Sequence, residues 1–275
     1  MSDYNINSLQ EKLMTIGVKS GDAIYCHSNI GYFGMPENIV TKEELCEKYY
    51  YSLLKAVGKD GTLVFPTYTY SFSKNKNNTR LSKRDFKNNV IFNEVFNTKN
   101  SKSNMGILSE YVRSQKNAIR TEDPFYSSVI IGKLSSYLSE NISNNSFDKN
   151  SLFSRFFKIN GKFLNLNFPG TTFIHYVERE LSVDYRYDKE FEGEITTRYG
   201  NQLKKWIITV SDLSKPGHTH NPYHFVKYIK NNNIAKYTSL GKGEILIISA
   251  KQIFDTIRNK IKSDKWFLTN NYKSQ

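Results

Sequence analysis

Cysteine is nearly missing from this chain. Cys26 and Cys46 are the only two among 275 residues, too few for a disulfide framework or a cysteine-built zinc site. Cys26 lies in an apolar, strand-like run and Cys46 in a helix-like one, so both read as packed thiols. No apolar run approaches the roughly 20 residues of a membrane-spanning helix. The opening MSDYNINSLQ lacks the basic and apolar regions of a secretory signal. A cytoplasmic protein without a membrane span is expected. Standard signatures are absent too: there is no G-x-G-x-x-G, no P-loop and no G-x-S-x-G elbow. Acidic residues are scarce, with 26 Asp and Glu against 39 Lys and Arg, a net charge of +13.

Rings are plentiful. Aromatics make up 14% of the chain, including 19 Tyr and 18 Phe, which fits a globular core filled by rings and argues against disorder. The positive balance favours anionic partners: nucleic acid, a membrane surface or phosphorylated small molecules. Much of it is scattered Lys among Asn and Ser, as in FSKNKNNTRLSKRDFKNN at 72–89, which reads equally well as a solvated surface. A nucleic-acid-binding module would show a basic stripe or a known motif. Neither is present, so no nucleic-acid partner is expected.

Short apolar runs, most with β-branched residues, at 22–26, 62–65, 128–131, 163–166, 206–210 and 244–248 read as strands. Between them 41–57, 105–113, 173–181, 222–230 and 251–261 read as helices, the first opened by the capping-box sequence TKEE. The alternation predicts an α/β fold, a central mixed sheet with helices on both faces. No repeat or composition shift marks a boundary, so 1–275 is expected to be a single domain with long loops at about 73–90, 139–151 and 214–222.

The segment PGTTFIHYVERE at 169–180 places Thr172, His175 and Glu178 at three-residue intervals after a Pro-Gly stop. Residues three apart share a helix face. There a carboxylate can fix a histidine tautomer and leave the other ring nitrogen as a base. The helix start opposes imidazole protonation and the Glu favours it, which together would poise the ring near neutrality. The Thr172 hydroxyl and free N–H groups at the helix start are candidates to receive an oxyanion. Alternatively, the segment is a solvent-facing helix with an incidental H-x-x-E. Polar residues also follow other strands: YCHSNIGYFGMP (25–36) and FPTYTYSF (65–72), with RTEDPFYSSVIIG (120–132) leading into a third. Ligands of α/β sheets sit outside strand carboxyl ends. PGHTHNPYH at 216–224 clusters His218, His220 and His224, but without Cys or Asp it reads as a loop, and no metal is expected.

Taken in order, these motifs resemble the antibiotic N-acetyltransferase family, the aminoglycoside 3-N-acetyltransferases, over nearly the whole chain. DAIYCHSNIGYFG is similar to the family's first strand and H-S-x-L-x-x-x-G turn, and GTLVFPTYTYSF to its G-T-L-V-x-P-T-x-T strand. NMGILSEYVRSQKNAIRTEDPFYSSVIIG resembles its M-G-x-L-x-E helix and following R-S-x-H-P-x-x-S-V-x-x-x-G. TTFIHYVERELSVDYRY matches its T-x-x-H-x-x-E segment and downstream Tyr-Arg. The resemblance implies the family's fold and direct transfer from acyl-CoA to an amine. His175 would be the general base, with Glu178 orienting it and Thr172 near the oxyanion. His27, Ser28, Asn29, Ile30, Gly31, Ser71, Met105, Gly106, Ser127 and Ser128 would hold the CoA donor, and Thr67, Tyr68, Asp123 and Arg186 the acceptor. Asp123 stands where the family has a histidine before proline, and Asn29-Ile30 departs from its first turn. A polycationic aminoglycoside calls for an acidic pocket, and the nearest acidic cluster is KEFEGE at 189–194. The expected acceptor is therefore a nucleotide-linked amino sugar of surface-polysaccharide biosynthesis, with an aminoglycoside as the alternative. The acyl group is acetyl or larger, and a homodimer is one possible assembly.

Overall fold

The computed structural model describes residues 2–69, 72, 95–212 and 217–272. Its main sheet has seven strands: β1 (Ala23–Ser28), β2 (Thr62–Pro66), β3 (Ile119–Arg120), β4 (Ser128–Gly132), β5 (Lys162–Leu166), β8 (Lys236–Leu240) and β9 (Gly243–Ser249), in the order β3-β4-β2-β1-β5-β9-β8. The central β2, β1 and β5 are mutually parallel, and β4 and β9 flank them antiparallel. This is the mixed sheet the alternating pattern predicts. A separate ribbon pairs β6 (Arg186–Thr197) with β7 (Gly200–Ser211). The apolar run at 206–210 is the buried end of that longer pair.

Side chains alternate across a strand, and the two faces of the sheet differ accordingly. One face presents Ile24, Cys26, Leu63, Phe65, Leu164, Leu166, Ile245 and Ile247 to the helices α1 (Leu9–Thr15), α2 (Lys42–Val57) and α3 (Ile107–Arg113). The other presents Tyr25, Val64, Phe163, Leu246 and Ile248 to α4 (Ser135–Ser139), α5 (Leu152–Lys158), α6 (Phe173–Glu180), α7 (Pro222–Asn231) and α8 (Ala250–Ser263). Phe147, Phe153, Phe156, Phe173 and Trp206 fill this second layer. Each such ring contributes about 1.5–3 kcal/mol on full burial.

Helix boundaries follow their caps. Thr41 accepts the Glu44 N–H at 3.1 Å, while the Glu44 carboxylate reaches back to the Val40 N–H at 3.2 Å. Ser249 and Gln252 form a complete capping box on α8. Residues 140–151 connect α4 to α5 as the expected loop, whereas 73–90 and 214–216 lie outside the described residues. Cys26 and Cys46 are free, buried thiols, as their contexts suggest. No helix among the described residues is long and apolar enough to cross a membrane.

Candidate active site

The parallel strands set the place. β1 and β5 pair in register, His27 opposite Asn165 and Ser28 opposite Leu166, and the Asn29 N–H continues the ladder to the Leu166 carbonyl at 2.8 Å. Within four residues of leaving β5 the chain reaches Gly170, where a Cβ would stand 2.8 Å from Pro222 Cβ at the start of α7. That close approach requires glycine and lets α6 begin directly above the strand ends. Phe173, Ile174, Tyr176, Val177 and Glu178 of α6 are all buried, so this is no solvent-facing helix.

His175 Nδ1 lies 3.0 Å from Glu178 Oε2, with Glu178 completely buried. Arg186, at the root of the β6–β7 ribbon, sets its Nε 2.9 Å from the same oxygen and its Nη2 3.3 Å from Oε1, and also donates to the Ser211 hydroxyl. Burial alone would raise the Glu178 pKa, but Arg186, His175 and His220 outweigh it and hold the carboxylate well below its usual range. A carboxylate acceptor fixes the proton of His175 on Nδ1 and leaves the Nε2 lone pair free. Burial, reinforced by the Arg186 charge and opposed by Glu178, pushes His175 down to about 4. The expectation of a ring poised near neutrality is therefore corrected: desolvation dominates, and the imidazole is neutral throughout the physiological range. Phe147 and Tyr126 flank the ring at centroid distances of 5.8 and 6.4 Å.

A second network runs along the other side of the helix start. Tyr68 donates to Thr172 Oγ1 at 2.7 Å, and Thr172 Oγ1 lies 3.1 Å from His27 Nε2, which also accepts the Thr172 N–H at 3.3 Å. That backbone N–H can only donate, so Nε2 is the acceptor and the His27 proton sits on Nδ1. Burial pushes His27 down to about 3, so this ring is neutral as well. The chain continues from Tyr68 to Tyr25 at 3.1 Å and from Tyr25 to Ser128 Oγ at 2.8 Å. Thr172 makes no side-chain cap; Thr171 accepts the Phe173 N–H instead. Both donors of Thr172 face His27 rather than open space, which bears on its expected oxyanion role.

The remaining candidates divide. Gly31 is exposed with nothing within 4 Å of a Cβ, and Gly106, at φ +94°, would set a Cβ 3.5 Å from the Ser28 carbonyl. The first turn and the 105–106 turn therefore meet, with Met105 half-buried beside them. Asn29 is half-buried, and the Ser28 hydroxyl is buried without a hydrogen-bond partner. Ile30 packs into the core beneath α2. Thr67 and Ser127 are enclosed around the buried Arg120, which donates to both hydroxyls at 3.1 and 3.2 Å. Asp123 accepts the Phe125 and Tyr126 N–H groups at 3.0 and 3.1 Å beside a cavity of about 10 Å³. Its carboxyl is raised by burial against those bonds. Ser71 lies outside the described residues.

A family model described as aminoglycoside 3-N-acetyltransferase matches residues 27–262. The chain belongs to that family. Its enzymes are acyltransferases that draw on acyl-CoA, and this chain is one of them. Solved structures of similar fold include the aminoglycoside acetyltransferase AAC(3)-IIb, at TM-score 0.76 and 19% identity over 95% of this chain and 97% of that one. AAC-IIIb in a binary complex with CoASH aligns at 0.73 and 17%, covering 93% and 97%. AAC-VIa bound to sisomicin aligns at 0.76 and 15%, covering 94% and 98%. A search of curated proteins finds no match. The family model spans all the motifs read from the sequence, from the H-S turn to the H-x-x-E helix.

Sequence reasoning did not assign Tyr25, Arg120 or His220 to this region. Tyr25 was legible only as strand interior and Arg120 only as one of many cations. His220 stood in a histidine-rich loop with no distinguishing spacing. Among the described residues, His175, Glu178 and His220 form a group whose potential ligand atoms lie within 4.8 Å of one another. The Arg186 guanidinium already neutralises that carboxylate, which weighs against a cation there.

Proposed function

We propose that the protein transfers the acyl group of acyl-CoA to an amine on an aminoglycoside-type amino sugar, with His175 as general base. The observation that carries this reading is the His175–Glu178 pair, a neutral imidazole held by an ionised, buried carboxylate at 3.0 Å. The acceptor amine attacks the thioester carbonyl carbon while His175 Nε2 removes its proton. The C–N bond forms, the C–S bond breaks, and the thiolate leaves as CoA. Glu178 stabilises the transient imidazolium, which then returns its proton to the thiolate or to solvent.

The side-chain-free approach at Gly31 and Gly106, beside the unpartnered Ser28 hydroxyl, fits a donor laid across the end of β1. His27–Gly31 with Met105 and Gly106 would hold it, while Tyr68 and Arg186, which contact Thr172 and Glu178, would orient the groups that meet the acceptor. The aminoglycoside class is supported by the family match and by the sisomicin complex of AAC-VIa. A second reading, a nucleotide-linked amino sugar made in the cytoplasm, is favoured by the net charge of +13. Thiol release from acetyl-CoA and longer acyl-CoAs, measured against aminoglycosides and nucleotide-linked amino sugars, tests both. Turnover of aminoglycosides is expected. Turnover confined to nucleotide-linked sugars would replace the first reading with the second, and no thiol release with any amine would remove both.

A further inference from the structure

His220 stands 42 residues beyond Glu178 in the chain but beside it in space. Its Nδ1 lies 3.7 Å from Glu178 Oε1, is buried, and has no hydrogen-bond partner. Its ring sits 4.9 Å from that of His175 at an interplanar angle of 63°, closer than either Phe147 or Tyr126. The backbone here is held from both sides. His220 bridges to Thr269, the Asn221 N–H donates to the Leu268 carbonyl at 2.9 Å, and the Asn270 N–H donates to the Thr219 carbonyl at 3.0 Å. Asn221 also caps α7 by accepting the Tyr223 N–H.

The two oxygens of Glu178 are unequally used. Oε2 faces both His175 Nδ1 and Arg186 Nε, at 3.0 and 2.9 Å, whereas Oε1 accepts from Arg186 Nη2 at 3.3 Å. A further donor faces Oε1 across 3.7 Å, the orphaned Nδ1 of His220. Arg186 reaches both oxygens, and a further donor on Oε1 would add to that hold against rotation about the terminal torsion, which would carry Oε2 away from His175.

We propose that His220 is a positioning residue for the acyl-transfer reaction. It closes the 3.7 Å gap to donate its Nδ1–H to Glu178 Oε1 during the reaction, and its ring blocks rotation of the His175 imidazole. Glu178 is thereby held to one orientation while His175 gains and loses a proton. This rests on the acyl-transfer reading above.

Three variants separate the donor from its bulk. The amide nitrogen of asparagine falls near the position of a histidine Nδ1, and that of glutamine near Nε2. His220→Ala is expected to lower kcat about tenfold with KM within about twofold, the effect of losing one hydrogen bond to a charged group. His220→Asn should restore most of the rate and His220→Gln should not. A second readout needs no turnover: the low-field proton resonance of the His175 Nδ1–H should be displaced or lost in the Ala and Gln variants and kept in the Asn variant. An unchanged rate and resonance in His220→Ala would overturn the proposal, as would equal behaviour of the Asn and Gln variants. Should His220→Ala fail to fold, the Asn and Gln pair decides alone. Absence of thiol release by the unmodified protein would count against the acyl-transfer reading, and the resonance would still judge His220.

Discussion

The two faces of the central sheet do different work. The face under α1, α2 and α3 is built largely of aliphatic residues from alternate strand positions, with Ile24, Leu63, Leu164 and Ile247 each less than 6% exposed. The opposite face carries rings and hydroxyls from the intervening positions: Tyr25 and His27 on β1, Ser128 on β4, and Phe163 on β5. The catalytic pair and its hydrogen-bonded neighbours lie on the second face. An aliphatic layer offers no directional groups, so it fills space without fixing any atom's neighbour. A layer of tyrosines and histidines holds its members by hydrogen bonds, and each bond fixes an orientation. The same alternation that makes a strand amphipathic thus divides the molecule into a packed side and an oriented side.

That division can be tested from its largest consequence downward. Glu178→Gln should cost about 3–5 kcal/mol in urea unfolding, because it leaves the buried Arg186 uncompensated. A loss below about 1 kcal/mol would show that the oriented face contributes little to stability. Leu164→Ala, on the aliphatic face, should cost about 2–5 kcal/mol through the cavity it leaves. Its kcat should stay within about twofold, since the residue shares no partner with the site. A large fall in kcat would mean that the two faces are coupled. His175→Ala should lower kcat by at least roughly a hundredfold in the thiol-release assay, with circular dichroism unchanged. Near-normal turnover would remove His175 as the base.

Acid should act on the oriented face. The folded pKa values of His27 and His175 lie at about 3 and about 4, below the ordinary histidine value near 6.5. The unfolded chain therefore binds more protons than the folded one as pH falls from about 6.5 toward 4. Stability should drop across that window by up to about 1.4 kcal/mol per pH unit for each histidine. Glu178, with its folded pKa depressed, contributes stability that is lost only below about pH 4.5. Unfolding measured at intervals from pH 7 to 4 reads the slope, and His27→Gln should reduce it by one proton. A flat profile would contradict the neutral state of both rings.

Much of this was legible before the fold was known. β1, β2, β4, β5 and β9 were marked by short apolar runs, and α2 by its capping threonine. The β6–β7 ribbon was half hidden because β6 alternates buried Phe191, Gly193 and Ile195 with glutamates and the outer part of β7 is mostly exposed and polar, leaving only 206–210 apolar enough to read. β3, with two residues, and the short α1, α4 and α5 carry too few residues for a period to show. The His175–Glu178 pair was readable because three-residue spacing survives folding as proximity. The contact of His27 with Thr172 was not, since it depends on β1 lying beside β5, and His220 depends on a bridge to Thr269. Long-range neighbours of this kind leave no trace in local spacing.

The pairing of 219–221 with 268–270 ties the site to a stretch that belongs to no regular element: the described strands of the sheet end by residue 249 and the described helices by 263. Phe267 and Leu268, both fully buried, anchor that stretch in the core. The clasp beside Glu178 is therefore as firm as the packing of two side chains outside any helix or strand, and core and site share one fastening.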